Sequence, residues 1–217
     1  GVGGSGVPGE GIAGYRGVCG AMETEIKAGG GEVLIDHPVT GLDYSRGKWH
    51  IETPAGFDSV AFVINCAGLF SDRIYALTGR KRSTRIIPFR GEYYKLRAAS
   101  SGLVRNLIYP VPDPKFPFLG VHFTRLIQGG IEAGPNAVLA LSREGYTKTK
   151  VNLGDVFDAV SFPGLWRFAG RYSKICMEEI LRSFSKRLFC RSLQRLVPAV
   201  TENDREPGGA GVRAQAM

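Results

Sequence analysis

Cysteine and histidine are scarce, and neither is arranged for a metal. Cys19, Cys66, Cys176 and Cys190 form no C-x-x-C pair, and none of the three histidines stands at zinc-ligand spacing from them. A structural zinc site and a disulfide framework are therefore not expected, no metal-ligand set is assigned, and a reducing cytosolic setting fits best. Long apolar runs are missing too. The longest stretches, such as Val60-Ala61-Phe62-Val63-Ile64, are strand-sized and fall far below the roughly 20 residues that a membrane-spanning helix needs. The start has no basic region followed by an apolar one, so it does not read as a secretory signal. No internal repeat is found.

What is present is the makeup of a globular protein. With 217 residues, 43% hydrophobic and 22% charged, the chain can bury the core of one large domain or two small ones. The net charge of +8 raises the question of a polyanionic partner. From Arg167 to Arg195 there are eight Lys or Arg against Glu178 and Glu179, a surplus of six, so most of the excess lies in one C-terminal stretch. A literal G-x-G-x-x-G at Gly1, Gly3 and Gly6 has no apolar strand before it, and Pro8-Gly9 interrupts the chain just after it. The context that makes this pattern a dinucleotide loop is absent, and residues 1–10 read as a disordered leader.

Beyond the leader, Val18, Cys19, Met22 and Ile26 recur at helical spacing from Tyr15 to Lys27, and Gly29-Gly30-Gly31 supplies a stop. Strands are expected at Val33–Ile35, Val39–Leu42, Trp49–Thr53 and Ser59–Ile64, separated by Gly47 and by Pro54-Ala55-Gly56. The last runs into Asn65-Cys66-Ala67-Gly68, after which Asp72–Leu77 begins a helix. After Thr84 the texture is β-rich, with strands expected at Gly91–Leu96, Leu107–Val111, Phe118–Thr124 and Gly130–Glu132, which would build an antiparallel sheet. Beyond Asn152 the pattern is helical. Met177, Ile180, Leu181, Phe184, Leu188 and Leu193 form an apolar core stripe with Arg182, Lys186, Arg187 and Arg191 largely off it, and Pro198 ends that helix. Gly208-Gly209 reads as a loop before Gly211-Val212-Arg213.

Three segments carry a family resemblance: Arg85-Ile86-Ile87-Pro88-Phe89-Arg90-Gly91-Glu92-Tyr93-Tyr94, Pro117-Phe118-Leu119-Gly120-Val121-His122-Phe123-Thr124-Arg125 and Gly134-Pro135-Asn136-Ala137-Val138-Leu139-Ala140. Together they resemble the L-2-hydroxyglutarate dehydrogenases, FAD enzymes of the D-amino-acid-oxidase and glycine-oxidase type, from about Pro8 to Met217. The resemblance implies an α/β (α+β) fold: part of a glutathione-reductase-like FAD-binding domain over residues 11–84, an antiparallel substrate-binding sheet with helices over 85–200, and a return toward the FAD-binding domain over 201–217. It also implies an internal fragment that lacks the first phosphate loop and the C-terminal end, and such a fragment alone is expected to be inactive and to bind FAD weakly or not at all.

Oxidising a secondary alcohol by hydride transfer needs a base for the hydroxyl proton, an acceptor for the hydride, and cations to hold substrate carboxylates. His122, on an expected strand, is the candidate base, because an imidazole titrates near neutrality. Its bland alternative is a half-buried histidine bonded to its neighbours, and a histidine from the missing N-terminal part is the competing base. His37 and His50 read as surface or packing residues. Arginine suits carboxylate recognition because its planar fork makes two parallel hydrogen bonds; Arg213, Arg90 and Arg125 are the candidates, against surface ion pairs as the alternative. By resemblance Arg213 grips the substrate carboxylate above the flavin and Arg90 lies near the flavin ring. Tyr109 and Asn136 are substrate-binding candidates, Tyr109 against a role in the aromatic core. Cofactor contacts fall to Val39, Cys66, Ala67, Gly68, Gly91 and Arg213, with Ala67-Gly68 letting backbone amides approach a phosphate.

The leading expectation is FAD-dependent oxidation of L-2-hydroxyglutarate to 2-oxoglutarate, with electrons leaving to a quinone or oxygen. If the acceptor is a membrane quinone, the basic helix of residues 167–195 would rest against anionic lipid as a peripheral contact with the inner membrane. The alternatives are a sibling flavin oxidase or dehydrogenase acting on an amino acid or glycerol phosphate and, distantly, a nucleic-acid-binding module built on that helix with Trp166, Phe168 and Tyr172.

Overall fold

The computed structural model describes residues 6, 7, 9, 11–112 and 118–217. The proposed leader therefore lies largely outside the described residues, as does Pro117. The chain opens with α1 (Tyr15–Ala28), which the Gly29 and Gly31 amides close by bonding to the carbonyls of Glu25 and Ile26. An antiparallel meander follows: β1 (Gly41–Ser45), β2 (Lys48–Thr53) and β3 (Gly56–Val60). The segment 61–67 makes no strand pairing. A short 3-10 turn at Gly68–Phe70 leads into α2 (Ser71–Ala76).

The larger sheet is built around β4 (Ile86–Leu96). One edge of β4 pairs with β6 (Ile131–Gly134) and with β7 (Val138–Leu139), and β5 (His122–Arg125) lies outside β6. The other edge pairs along nearly its whole length with β8 (Arg205–Ala216), from Ile86 opposite Ala216 to Leu96 opposite Arg205, with a bulge between Glu92 and Tyr94. Four helices complete the chain: α3 (Leu153–Val160), α4 (Pro163–Arg171), α5 (Ser173–Phe184) and α6 (Lys186–Gln194).

Side chains alternate across the sheet, and the two faces carry different cores. Leu96, Phe123, Ile131 and Ala133 pack on one face with Phe189 and Leu193 of α6 and with Val104 and Val200. Full burial of Phe189 and Leu193 contributes about 2 kcal/mol each. On the other face Ile87 and Phe89 pack with Phe118, Ala159 of α3 and Leu165 of α4.

Several expectations need correction. Val33–Ile35 is not a strand: the segment is exposed and makes no ladder. The expected strand Ser59–Ile64 ends at Val60, and Phe62 and Ile64 project into solvent. Leu107–Val111 contributes a single bridge, Ile108 to Phe123. The stripe from Met177 to Leu193 is not one core-facing helix. Ser185 adopts extended angles between α5 and α6, and its side chain caps α6 by accepting from the Leu188 amide. Leu193 is buried, whereas Met177, Ile180, Leu181 and Phe184 are 45–80% exposed. The expected loop at Gly208-Gly209 is the middle of β8.

Candidate active site

One row of the sheet carries the chemistry. His122 on β5 stands opposite Gly134 on β6, whose neighbour Ala133 pairs with Tyr94 on β4. His122, Gly134 and Tyr93 therefore lie side by side on the face opposite the α6 core. Arg213 on β8 is opposite Phe89, on the same face, and its guanidinium lies 5.8 Å from the centre of the Phe118 ring. The Arg213 charge acts on both the His122 imidazole and the Tyr93 phenol.

Hydrogen bonding fixes the state of His122. Its Nδ1 lies 3.0 Å from the Gly120 carbonyl oxygen, which can only accept, so Nδ1 carries the proton and the neutral ring keeps a free lone pair on Nε2. Burial is the largest influence on the ring and lowers its pKa below the ordinary 6.5. The bond to Gly120 works the other way, and the nearby Arg213 charge adds to the lowering. The result is a neutral imidazole at pH 7. Tyr109 stacks on this ring, with centroids 4.5 Å apart and planes 23° from parallel, and its hydroxyl is 3.1 Å from Thr124 Oγ1. Burial also raises the Tyr93 phenol above its ordinary value, against the opposing charge of Arg213, so it remains a hydrogen-bond donor.

Three other candidates do not join this face. Arg90 is buried on the opposite side of β4, where Nε and one terminal nitrogen donate to Glu92 Oε1 at 3.3 and 3.1 Å and the other terminal nitrogen donates to the Thr147 carbonyl at 3.1 Å. Its charge is spent inside the protein. Asn136 is buried and consumed by the same glutamate: its Oδ1 accepts from the Glu92 amide at 2.8 Å and its Nδ2 donates to Glu92 Oε2 at 3.0 Å. Burial raises Glu92, but bonds from Ser183 and Asn136 and the charges of Lys148 and Arg90 outweigh it and hold the carboxyl below its usual range. Arg125 alternates away from His122 and donates to the Arg105 carbonyl at 2.7 Å. His37 and His50 bond the Ile35 and Ser45 carbonyls at the surface.

Among the cofactor candidates, Gly91 makes a close contact inside the protein. A Cβ there would lie 2.7 Å from the Pro135 side chain, so the close approach that requires glycine is made by this protein's own proline. Val39 is half-buried just before β1, and Cys66 is an exposed free thiol. At the Ala67-Gly68 turn the Ala67 amide is taken by Asn65 Oδ1 at 3.2 Å. Gly68 has φ +53° with open space where a side chain would be. Among the described residues the Gly68 and Leu69 amides have no protein acceptor. The turn packs against β4 and β8.

Sheet, meander and helices in this arrangement are those of FAD-dependent oxidoreductases of the D-amino-acid-oxidase type. The description "FAD dependent oxidoreductase" (DAO) matches residues 1–216, and the chain belongs to that family. It is similar to an L-2-hydroxyglutarate dehydrogenase from Indibacter alkaliphilus, 47% identical over 97% of this chain and 53% of that protein. A second L-2-hydroxyglutarate dehydrogenase, from Salmonella houtenae, is 41% identical over 100% of this chain and 52% of its own length. The chain thus spans about half the length of the curated relatives it matches. Among solved structures, the dithionite-reduced, FAD-bound L-alpha-glycerophosphate oxidase from Mycoplasma pneumoniae superposes with a TM-score of 0.59 at 15% identity, covering 88% of this chain and 41% of that one, a likeness of fold.

The residues present fit part of an FAD site. Two unpaired amides at an open left-handed glycine suit an anionic oxygen. On β8, Gly209 and Gly211 have nothing within 4 Å of where a Cβ would stand, which leaves an open strip of backbone beside Arg213 for a flat ring.

Sequence reasoning missed Tyr93. It stands within one of the quoted motifs, but only the β4–β6 register shows that it lies beside His122.

Proposed function

We propose that the protein carrying these residues oxidises L-2-hydroxyglutarate to 2-oxoglutarate with FAD. The observation that carries this reading is the shared face of His122, Tyr93 and Arg213, in a chain 47% identical to an enzyme of that name. Arg213 holds the C1 carboxylate through its planar fork. The Tyr93 hydroxyl donates to the substrate beside it. His122 Nε2 removes the proton from the C2 hydroxyl, and as that oxygen becomes a carbonyl the C2–H bond breaks. FAD, when bound, supplies the two-electron acceptor for that hydride. Tyr109 keeps the imidazole in plane by stacking. The Gly68 and Leu69 amides would hold a phosphate of the cofactor. Residues 11–84 then belong to the FAD-binding domain, 85–200 to the substrate domain, and 201–217 return toward the cofactor.

We assign the electrons to a quinone reached from an anionic bilayer. Among the described residues no helix is long and apolar enough to cross a membrane, but α5 is inverted: its Glu179 is buried while Met177, Ile180, Leu181 and Phe184 face outward. Leu153 and Phe157 of α3 are exposed in the same way, and Lys174 and Arg171 are exposed nearby in the chain. Apolar residues flanked by lysine and arginine suit the boundary between headgroups and acyl chains. Co-sedimentation with vesicles tests this: anionic vesicles should retain the protein and zwitterionic ones should not, and equal recovery from both would contradict it.

The catalytic reading is tested by a substrate panel on the longest natural polypeptide containing these residues. L-2-hydroxyglutarate should give the highest kcat/KM. Preference for glycine, sarcosine or glycerol 3-phosphate would overturn the substrate assignment.

A further inference from the structure

Arg143 is only 2% exposed and lies in the turn after β7. Its guanidinium is the hub of an ionic cluster. One terminal nitrogen donates to Asp72 Oδ1 and to the Leu69 carbonyl; the other donates to Asp72 Oδ2 at 2.8 Å and to Asp158 Oδ2 at 2.9 Å. The Arg143 backbone amide donates to Asp155 Oδ2 at 2.7 Å, and the other oxygen of Asp155 is held by Arg73 of α2. Arg82 bridges Asp72 and Asp158, and Arg85 also reaches Asp158. Burial raises the Asp72 carboxyl, but the bonds from Arg143 and the Ile86 amide outweigh it and keep the group ionised below its ordinary range.

The cluster joins two parts of the chain. Asp72 and the Leu69 carbonyl belong to the turn and helix that follow Ala67-Gly68, whereas Arg143, Asp155 and Asp158 belong to the substrate sheet and α3. The Leu69 carbonyl is drawn inward onto Arg143, while the Gly68 and Leu69 amides keep no protein partner among the described residues. One side of this turn is therefore fixed from below and its donors are left to something else.

We propose that Arg143 is a positioning residue for FAD: by holding the Leu69 carbonyl and Asp72 it presents the Gly68 and Leu69 amides to a phosphate oxygen of the cofactor and sets that turn against the substrate sheet. This rests on the flavoenzyme reading above and extends it to a residue that touches neither substrate nor cofactor. Without Arg143, the buried Asp72 carboxylate loses its two-pronged partner and the Leu69 carbonyl loses its donor, so the turn relaxes.

The test uses the longest natural polypeptide, stripped of FAD and titrated with FAD by flavin fluorescence. Arg143→Met should raise the FAD dissociation constant about 30-fold while the KM for L-2-hydroxyglutarate at saturating FAD changes less than about threefold. Arg143→Lys, which keeps the charge but not the fork, should recover only part of that affinity. Arg205→Met, which removes another buried arginine on the opposite face, should lower the thermal midpoint but leave FAD affinity within about threefold. A folded Arg143→Met protein with unchanged FAD affinity overturns the proposal, as does an equal loss in Arg205→Met. If Arg143→Met does not fold, Asp158→Asn decides: it removes one arm of the cluster, and FAD affinity should fall at least about fivefold, with no change contradicting the proposal. A wild-type protein that binds FAD but ignores L-2-hydroxyglutarate would sink the substrate reading and leave this one standing.

Discussion

Parity along the strands decides which polar side chains meet. Arg90 and Arg125 stand in the same motifs as the residues beside them and carry the same chemistry as Arg213, yet each sits one position out of phase with the His122 face. Residue type was readable in the sequence, but the face depends on register, and register depends on pairings more than a hundred residues apart such as Phe89 with Arg213. Two expected outcomes belong at this scale. On the proposed role of His122 as the base its neutral form is the active one, and its pKa is depressed below 6.5, so kcat/KM should be flat above that value and fall as pH drops through a point lower than 6.5. A pH–rate profile checks this, and an inflection on the alkaline side of 6.5 would contradict it. Arg213→Met should raise KM for L-2-hydroxyglutarate about 50-fold, the loss of one bidentate charged pair. An unchanged KM would remove Arg213 from the site.

At the scale of elements, the segments with clear local signals came through. The period of α1 and the turns of the meander agree with the structure to within a few residues, whereas β4 starts at Ile86, ahead of the expected start at Gly91. The misreadings have physical causes. β8 passes through Pro207-Gly208-Gly209-Ala210-Gly211, a composition that favours loops, and it is a strand because β4 pairs with it over its length. In the opposite direction, Val33–Ile35 has the β-branched composition of a strand but no neighbour among the described residues to complete a ladder. Gly91 tests how β4 meets the 134–136 turn. Gly91→Ala places a methyl 2.7 Å from the Pro135 side chain, and should lower stability by about 1–3 kcal/mol. Gly211→Ala, opposite it on β8 in open space, should be close to neutral. Equal thermal midpoints for the two variants would show that the close packing at Pro135 is not required.

For the whole molecule, apolar side chains at the surface stand beside ionic ones in the interior. The apolar residues of α1, Phe62 and Ile64 are exposed, as is the stripe on α5, while aspartates, glutamates and arginines occupy interior positions at Asp72, Glu179 and Arg143. The family and its cofactor class were legible because the motifs around Pro88, His122 and Pro135 are contiguous in sequence. The Arg143 cluster was not, since it is assembled from separate segments between residues 69 and 158. The central claim is that the His122 face removes the substrate's hydroxyl proton as the hydride leaves. Anaerobic stopped-flow mixing of the FAD-loaded, longest natural polypeptide with L-2-hydroxyglutarate tests it most directly. The wild type should bleach the oxidised flavin and yield 2-oxoglutarate, with His122→Gln at least about 100-fold slower at unchanged FAD occupancy. Bleaching of His122→Gln at the wild-type rate would contradict the account.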